Sequence, residues 1–583
     1  MKIRTSNCLC GRFGVAALAG LGLALLIHQT PAQGASNPMP QVVTENGCHA
    51  FMVDGAPFLM LGAQCHNSSA WPGIFPKVFG AIDDLHANTL EIPIYWEQFE
   101  PEQGKFDTSV VDLIIKQARE HNVRLVLLWF GTWKNGSPHY MPLWTKNQTN
   151  LYTHIMGNRG RTVDSPKPLA EEAMRADMKA FSALMRHLKS VDPIHTVIMI
   201  QVENEPGAWG SIRDYSPEVE KAMAAPVPAE FLKALAGRNG ANSGGSDWRT
   251  VFGDNADEYF HAYCVAHYIG QVAAAGKAEY PLPMYVNAAL RDPLTNPRAG
   301  TYESGGATDN VLDIWKAAAP AIDILAPDIY QNDPAKYLAV LDHYARLDNT
   351  LFVPETGATA RMCFAALGRG AIGWSPFGLD YTRATPESIA PVGMNYRMLE
   401  PIMREVARLN FEGKVKAVEE EAGQASATLD FGAWSAIINF TGSGRRPGGF
   451  GAGGGAAAAS PTATNSAAGE GGGPRATVSG AGEAAPPAPT GRALIAQIKE
   501  NQFFIAGSAC TIEFKAASGG HRDWLRVEEA EQLARKPNAF HAGRDYSPAS
   551  AFRVRRILNG DETDHALPFG AAPQTLRVTL GTY

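Results

Sequence analysis

The chain's 583 residues, 45% of them hydrophobic, exceed what one ordinary domain needs for its core, so two or more folded units are expected. A formal net charge of −7 excludes the basic footprint of a nucleic-acid binder and gives no electrostatic reason to sit on anionic lipid. Of seven cysteines, the five beyond residue 40 (Cys48, Cys65, Cys264, Cys363 and Cys510) are scattered without close pairs, which leaves room for one bridge but not for a disulfide scaffold, and without an HExxH, paired CxxC or EF-hand pattern the sequence predicts neither a metal nor a cofactor.

In chain order, Lys2, Arg4 and Arg12 precede an apolar run from Phe13 to Ile27, and small residues follow at Pro31 to Gly34. That arrangement predicts a secretory signal peptide over residues 1–34, because the run is short for a membrane span of roughly 20 residues. Its removal would take the net charge from −7 to −10 and leave an exported protein, periplasmic or extracellular, with no membrane attachment.

Residues 45–410 alternate short apolar runs with longer amphipathic stretches. Eight runs read as strands: "FLMLGAQ", "TLEIPIYW", "RLVLLWF", "TVIMIQVEN", "PMYVNAAL", "DILAPDIY", "TLFVPETG" and "GAIGWSP". Most are apolar at consecutive positions, the pattern of a parallel sheet covered on both faces. Between them, "DTSVVDLIIKQAREHN" and "EEAMRADMKAFSALMRHLKSV" carry apolar residues at helical spacing. Eight such units predict an α/β fold, a closed (β/α)8 TIM barrel. An open doubly wound sheet is the alternative, but no glycine-rich phosphate loop follows the first strand.

Beyond residue 410 the pattern turns β-rich, predicting a C-terminal β-sandwich over 411–441 and 492–583. Residues 442–491, almost wholly Gly, Ala, Pro, Ser and Thr, interrupt it and are expected to be a disordered insertion.

The chemistry concentrates in "IQVENEPGAWG". Glu203, Asn204 and Glu205 end the fourth apolar run, where a barrel carries its functional groups. Strand alternation would put Glu203 and Glu205 on one face unless the chain is already turning, and either way two neighbouring carboxylates disfavour double ionisation and so keep one protonated. A further carboxylate, Glu355, ends the seventh run in "TLFVPETG". About 150 residues separate Glu205 from Glu355, three βα units of roughly fifty, so both reach the same barrel mouth. Tyr95, Trp96 and Glu97, then Trp129 and Trp133, Asn287, Tyr330 and Trp374 lie at or near other strand ends. Flat rings and neutral amides suit an uncharged polyol, so the expected partner is a carbohydrate. Gln64, His66 and Asn67 end the first strand and either contact that ligand or form a local polar cluster.

The motif "QVENEPG" resembles the acid/base motif of glycoside hydrolase family 35, the β-galactosidases. "PIYWEQFEPEQGKFD" looks like the second-strand region shared with the related family 42, and "FVPETG" stands where the clan of (β/α)8 retaining glycosidases carries its nucleophile. The β-rich tail, with "RILNGDET", resembles an uncharacterised C-terminal domain of a family 35 subgroup, some members of which are linked to plant cell-wall galactosides. The resemblance implies Glu205 as acid/base, Glu355 as nucleophile and Asn204 as a donor to the sugar 2-hydroxyl. Glu203 is left to hold a sugar hydroxyl, tune its neighbour or bond within the barrel. The sequence departs from the best-known members at Pro206, where they carry Tyr, and at "GAQCHNSS", where they carry a "GSIHY"-like motif. The implied activity is a retaining exo-β-glycosidase, foremost a β-galactosidase. A β-glucosidase, α-L-arabinofuranosidase or β-mannosidase, or a non-catalytic carbohydrate-binding protein, are the alternatives.

Two other patterns invite a metal and do not support one. His261, Cys264 and His267 in "HAYCVAH" would put the outer pair about 240° apart on a helix, unable to converge. "NGDETD" near residue 560 reads as a β-turn.

Overall fold

The computed structural model describes residues 37–148, 152–236, 238, 245–441, 489–531, 552–558, 562–563, 565–572 and 574–583. The expected signal peptide, nearly all of the Gly/Ala/Pro-rich insertion, and most of "NGDETD" lie outside the described residues. Among the described residues no helix is long and apolar enough to cross a membrane.

Eight strands close into a barrel: β1 Met60–Gln64, β2 Thr89–Tyr95, β3 Arg124–Lys134, β4 Val197–Asn204, β5 Met284–Ala288, β6 Ile324–Ile329, β7 Val353–Thr356 and β8 Gly373–Pro376. Neighbours in sequence are neighbours in space, every pair is parallel, and β8 returns to β1. The consecutive apolar runs are explained by burial on both sides: every residue of all eight strands is buried. One side chain of each neighbouring pair fills the barrel while the other meets a covering helix. On β8, for example, Ser375 lies against Gly62 inside the barrel, and Trp374 turns outward to donate its indole N–H to Tyr337 of the helix Pro334–Tyr344 at 3.0 Å.

The covering helices follow the amphipathic stretches. Phe75–Leu85 buries Phe75, Val78, Phe79, Ile82 and Leu85 along one stripe, with Pro76 in its first turn. Glu171–Val191 begins with two acidic residues and carries Lys189 in its last turn, matching the helix dipole. It crosses Ala256–Glu279 so closely that a Cβ at Gly276 would stand 2.2 Å from the Phe181 ring.

At the barrel's N-terminal end, an antiparallel sheet (Gln41–Glu45, Cys48–Val53, Ala56–Pro57) is tied down by buried charge. Arg124, the first residue of β3, donates to Asp54 at 2.7 Å, and Arg404 donates to the carbonyls of Val53, Ala56 and Pro57.

The C-terminal domain begins at β9 Val415–Glu419 and continues with β10 Ser426–Asp430, β11 Trp434–Phe440, β12 Arg492–Lys499, β13 Gln502–Ser508, β14 Cys510–Ala516, β15 Arg522–Ala530, β16 Val554–Leu558, β17 Leu567–Phe569 and β18 Gln574–Thr582. It forms two antiparallel sheets, six strands in the order β9-β12-β13-β18-β15-β16 and four in the order β10-β11-β14-β17. Ala493, Ile495, Phe503 and Ile505 face the four-stranded sheet and build the sandwich core. The residues between them, Leu494, Ala496, Phe504 and Ala506, face the other way and join the barrel's own core. Strands β12 and β13 of the six-stranded sheet are thus buried on both faces. Arg492 seals the junction, donating to Asn395 Oδ1 at 2.6 Å with its guanidinium over Phe364.

Candidate active site

The C-terminal ends of β3 to β7 converge on a group of polar side chains. The end of β4 does not stay regular: Glu203, its penultimate residue, and Glu205, just beyond it, both have left-handed backbone, with φ of 64° and 41°. Such a conformation strains a residue with a side chain and persists only where the surroundings impose it. Here Asn287 of β5 does so, its Oδ1 accepting from the Glu205 N–H at 2.9 Å. The same amide donates through Nδ2 to Asp328 Oδ2 of β6 at 2.6 Å. Asp328 stands beside Glu355 of β7 in the strand register. Glu205, Asp328 and Glu355 each bring one carboxyl oxygen within 4.8 Å of the others'. Tyr330, half exposed at the rim, donates its hydroxyl to Glu355 Oε1 at 2.5 Å. On β3 a bulge between Trp129 and Lys134 sets Lys134 opposite Asn204, where its ammonium donates to Asn204 Oδ1 at 2.6 Å.

Burial and like charge set the proton balance. Burial first, then the Glu355 charge, push the Glu205 carboxyl up to about 7, against the pull of Lys134 and of a hydrogen bond with Asp328. Asp328 is driven well above the usual carboxylate range by burial, Glu355 and Glu205. Deeper in the barrel, burial pushes Glu91 up to about 8, with the Tyr285 hydroxyl donating to it at 2.9 Å. Glu303, on the loop after β5, is 2% exposed, with the Trp209 indole as its neighbouring donor. Burial and the neighbouring Glu205 charge hold Glu303 well above the ordinary range. It packs so tightly on Gly136 that a Cβ there would stand 2.4 Å from Glu303 Oε1.

Of the residues singled out in the sequence, the structure gathers Glu205, Glu355, Asn204, Asn287 and Tyr330. It separates Glu203 from them. The left-handed turn breaks the strand alternation, and Glu203 accepts from the Trp133 N–H at 2.6 Å and lies beside Asp177 of the helix Glu171–Val191. The expectation that Glu203 and Glu205 share a face is corrected: it is Glu355, not Glu203, whose charge acts on Glu205. Among the expected sugar contacts, Trp96 is fully buried and donates to Glu100 at 2.8 Å, and Trp374 points outward to Tyr337. Trp129 donates to Asp177 at 2.9 Å beneath the same helix, and Trp133 packs on Tyr268. Tyr95 spends its hydroxyl on the Asn67 carbonyl and stacks on Tyr140, fastening the loop after β1, while Glu97 is exposed with its backbone bonded to Tyr140. His66 pairs with Asp380 at 3.0 Å, tying the loops after β1 and β8 together, and Gln64 is buried.

Sequence reading passed over Asp328, Lys134 and Glu303. Asp328 carried the same signal as Glu355, an acid ending an apolar run. Lys134 carried none, since only a bulge brings it into place. The three clustered carboxyls have a geometry that would admit an oxygen-seeking cation. With Asn287 and Tyr330 donating to two of them and Lys134 acting on the third, their arrangement suits the handling of a proton.

Comparison with known proteins adds the following. Residues 392–570 match the family described as a domain of unknown function, DUF5597. A β-galactosidase of Xanthomonas manihotis is 28% identical over 230 residues, which are 37% of this chain and 34% of that protein. The chain therefore aligns with about a third of the length of that relative. Among solved structures, a β-galactosidase from Bacillus circulans sp. alkalophilus superposes with a TM-score of 0.44 at 12% identity, over 60% of this chain and 57% of that one. An exo-β-1,4-mannosidase from Opitutaceae bacterium strain TAV5 gives 0.37 at 15% identity, over 57% and 54%.

Proposed function

We propose that the chain is an exported retaining exo-β-glycosidase, related to glycoside hydrolase family 35, that releases terminal β-galactose by double displacement. The observation that carries this reading is the approach of Glu205 and Glu355, from β4 and β7, to within 4.8 Å at their nearest oxygens. Retaining enzymes hold their two carboxyl groups about 5–5.5 Å apart, whereas inverting ones leave room for a water at roughly 6.5–9.5 Å. The name of the Xanthomonas relative supports the choice of galactose.

In this mechanism Glu355 attacks the anomeric carbon, its orientation fixed by Tyr330. Glu205, pushed up to about 7, keeps the proton that the departing glycosidic oxygen requires. Once the leaving group has gone, Glu205 takes a proton from water, which then opens the glycosyl ester. Asn204, held through its carbonyl by Lys134, keeps its Nδ2 free of protein partners and available to the sugar 2-hydroxyl.

The test is turnover of aryl glycosides by the purified protein, with the anomer of the first product followed by NMR. We expect β-galactose first, and kcat/KM falling as pH rises through about 7 as Glu205 loses its proton. Glu355→Gln and Glu205→Gln should each cost at least about 10²-fold on an unactivated substrate. An α-configured first product would end the retaining assignment. Faster cleavage of a β-glucoside, α-L-arabinofuranoside or β-mannoside would replace the sugar and keep the mechanism.

A further inference from the structure

Double displacement uses two carboxyls, and this site holds a third whose oxygen lies within 4.8 Å of both. Asp328 is buried, its Oδ2 receives Asn287 Nδ2 at 2.6 Å, and its Oδ1 meets no donor of the protein. The same Asn287 side chain accepts from the Glu205 N–H, so one amide fixes the backbone of Glu205 and the carboxyl of Asp328 together. Two carboxyls held close in a buried site resist joint ionisation, and one proton between them turns repulsion into a strong hydrogen bond.

We infer that Asp328 is a positioning residue that shares a single proton with Glu205, so that the acid/base arrives protonated and is rebuilt as a strong base after the leaving group departs. This catalytic consequence rests on the glycosidase reading; the shared proton itself does not. Charge balances along the path. Before attack Glu355 is ionised and the Glu205–Asp328 pair carries one proton, giving two negative charges. When Glu355 forms its ester and loses its charge, the pair's proton leaves with the glycosidic oxygen, and two negative charges remain. Water then returns a proton to the pair as its hydroxide oxygen bonds to the anomeric carbon and the ester opens. Facing the pair are Glu355 from β7, Tyr330 donating to Glu355, Lys134 from β3 opposing, and Glu303 from the loop after β5.

The test is Asp328→Asn, with each variant assayed on a 2,4-dinitrophenyl β-galactoside, whose departure needs no proton, and on an alkyl β-galactoside, whose departure does. We expect the alkaline limb of kcat/KM to fall by about one pH unit, and the loss on the alkyl substrate to exceed that on the dinitrophenyl one by at least about tenfold. Carboxyl-labelled glutamate, followed by carbon NMR, should show the Glu205 signal, identified by its disappearance in Glu205→Gln, titrating at lower pH in Asp328→Asn. In the wild type a far-downfield proton resonance should be present and be lost in Glu205→Gln, a readout that does not depend on how the Asp328 variant folds. An unmoved limb and carbon titration, equal losses on both substrates, or no such wild-type resonance overturns the inference. A protein that cleaves no glycoside yet passes both NMR measurements would sink the glycosidase reading and leave the shared proton standing.

Discussion

Glu91 illustrates how burial inside a barrel converts one side chain into a pH dependence of the whole fold. Its folded pKa lies near 8 against an ordinary 4.5, so the native state binds more protons than the unfolded chain between those values. Stability is therefore fully present below about pH 4.5 and is lost as pH rises toward 8, by an amount on the order of a few kcal/mol. Asp328, Glu303 and Glu203, all raised by burial, act with the same sign. We expect Glu91→Gln, which keeps the shape without the charge, to flatten this fall. Urea unfolding of both proteins at pH 5 and pH 8 measures it, and parallel slopes would remove Glu91 from the account. At this scale the sequence was partly legible. Glu205 and Glu355 announced themselves as acids after apolar runs, whereas Glu91, in the interior of "TLEIPIYW", reads in one dimension like any polar interruption of a strand.

Strand parity decides which side chains can reach a ligand, and it explains the misplaced aromatics. Gly62, Glu91 and Ser375 share the barrel interior, so Trp374, next to Ser375, must face the helices, however well an indole would suit a sugar. Parity cannot be assigned from runs that are apolar at every position, and the left-handed turn at Glu203 and Glu205 resets it where the site begins. Strand existence and order were legible because runs of β-branched and aromatic residues separated by amphipathic stretches have few other readings. The bulge in β3 was not, since it depends on how β3 and β4 meet. Parity also makes a prediction for the β1–β8 seam. A Cβ at Gly62 would stand 1.9 Å from Ser375 Oγ and 3.0 Å from its Cβ. Gly62→Ala should destabilise the barrel by about 1–3 kcal/mol, and Ser375→Gly in the same chain should restore most of that. Thermal unfolding of the single and double variants gives the answer, and additive losses would place the strain elsewhere.

Across the whole molecule, the long insertion and the sandwich around it make opposite demands. Residues 442–488 lie outside the described residues, but the chain on either side is anchored: Thr441 donates to the Ala509 carbonyl at 2.9 Å, and the Gly491 carbonyl accepts from Glu420 at 2.7 Å. Replacing 442–488 with a short polar turn should leave kcat/KM within about twofold. Ending the chain at residue 412 should instead give insoluble protein, because Leu494, Ala496, Phe504 and Ala506 would no longer cover the barrel helices. Soluble, active barrel from that truncation would show the contact to be dispensable. The sandwich itself was legible from its alternating strands and turns. Its embrace of the barrel was not, because a strand buried on both faces shows no difference between the face that closes its own sheet pair and the face that meets a neighbour.

That doubly covered pair of strands has a bearing on inheritance. Each residue of β12 and β13 answers to one of two partners, and adjacent residues answer to different ones. A change on either side therefore tests the tail and the barrel by turns, and neither half can be exchanged for a homologue's without redrawing the seam. Any chain that carries this tail should also carry a barrel with matching helices at 361–367 and 386–411, and the pair can be sought together as one heritable block.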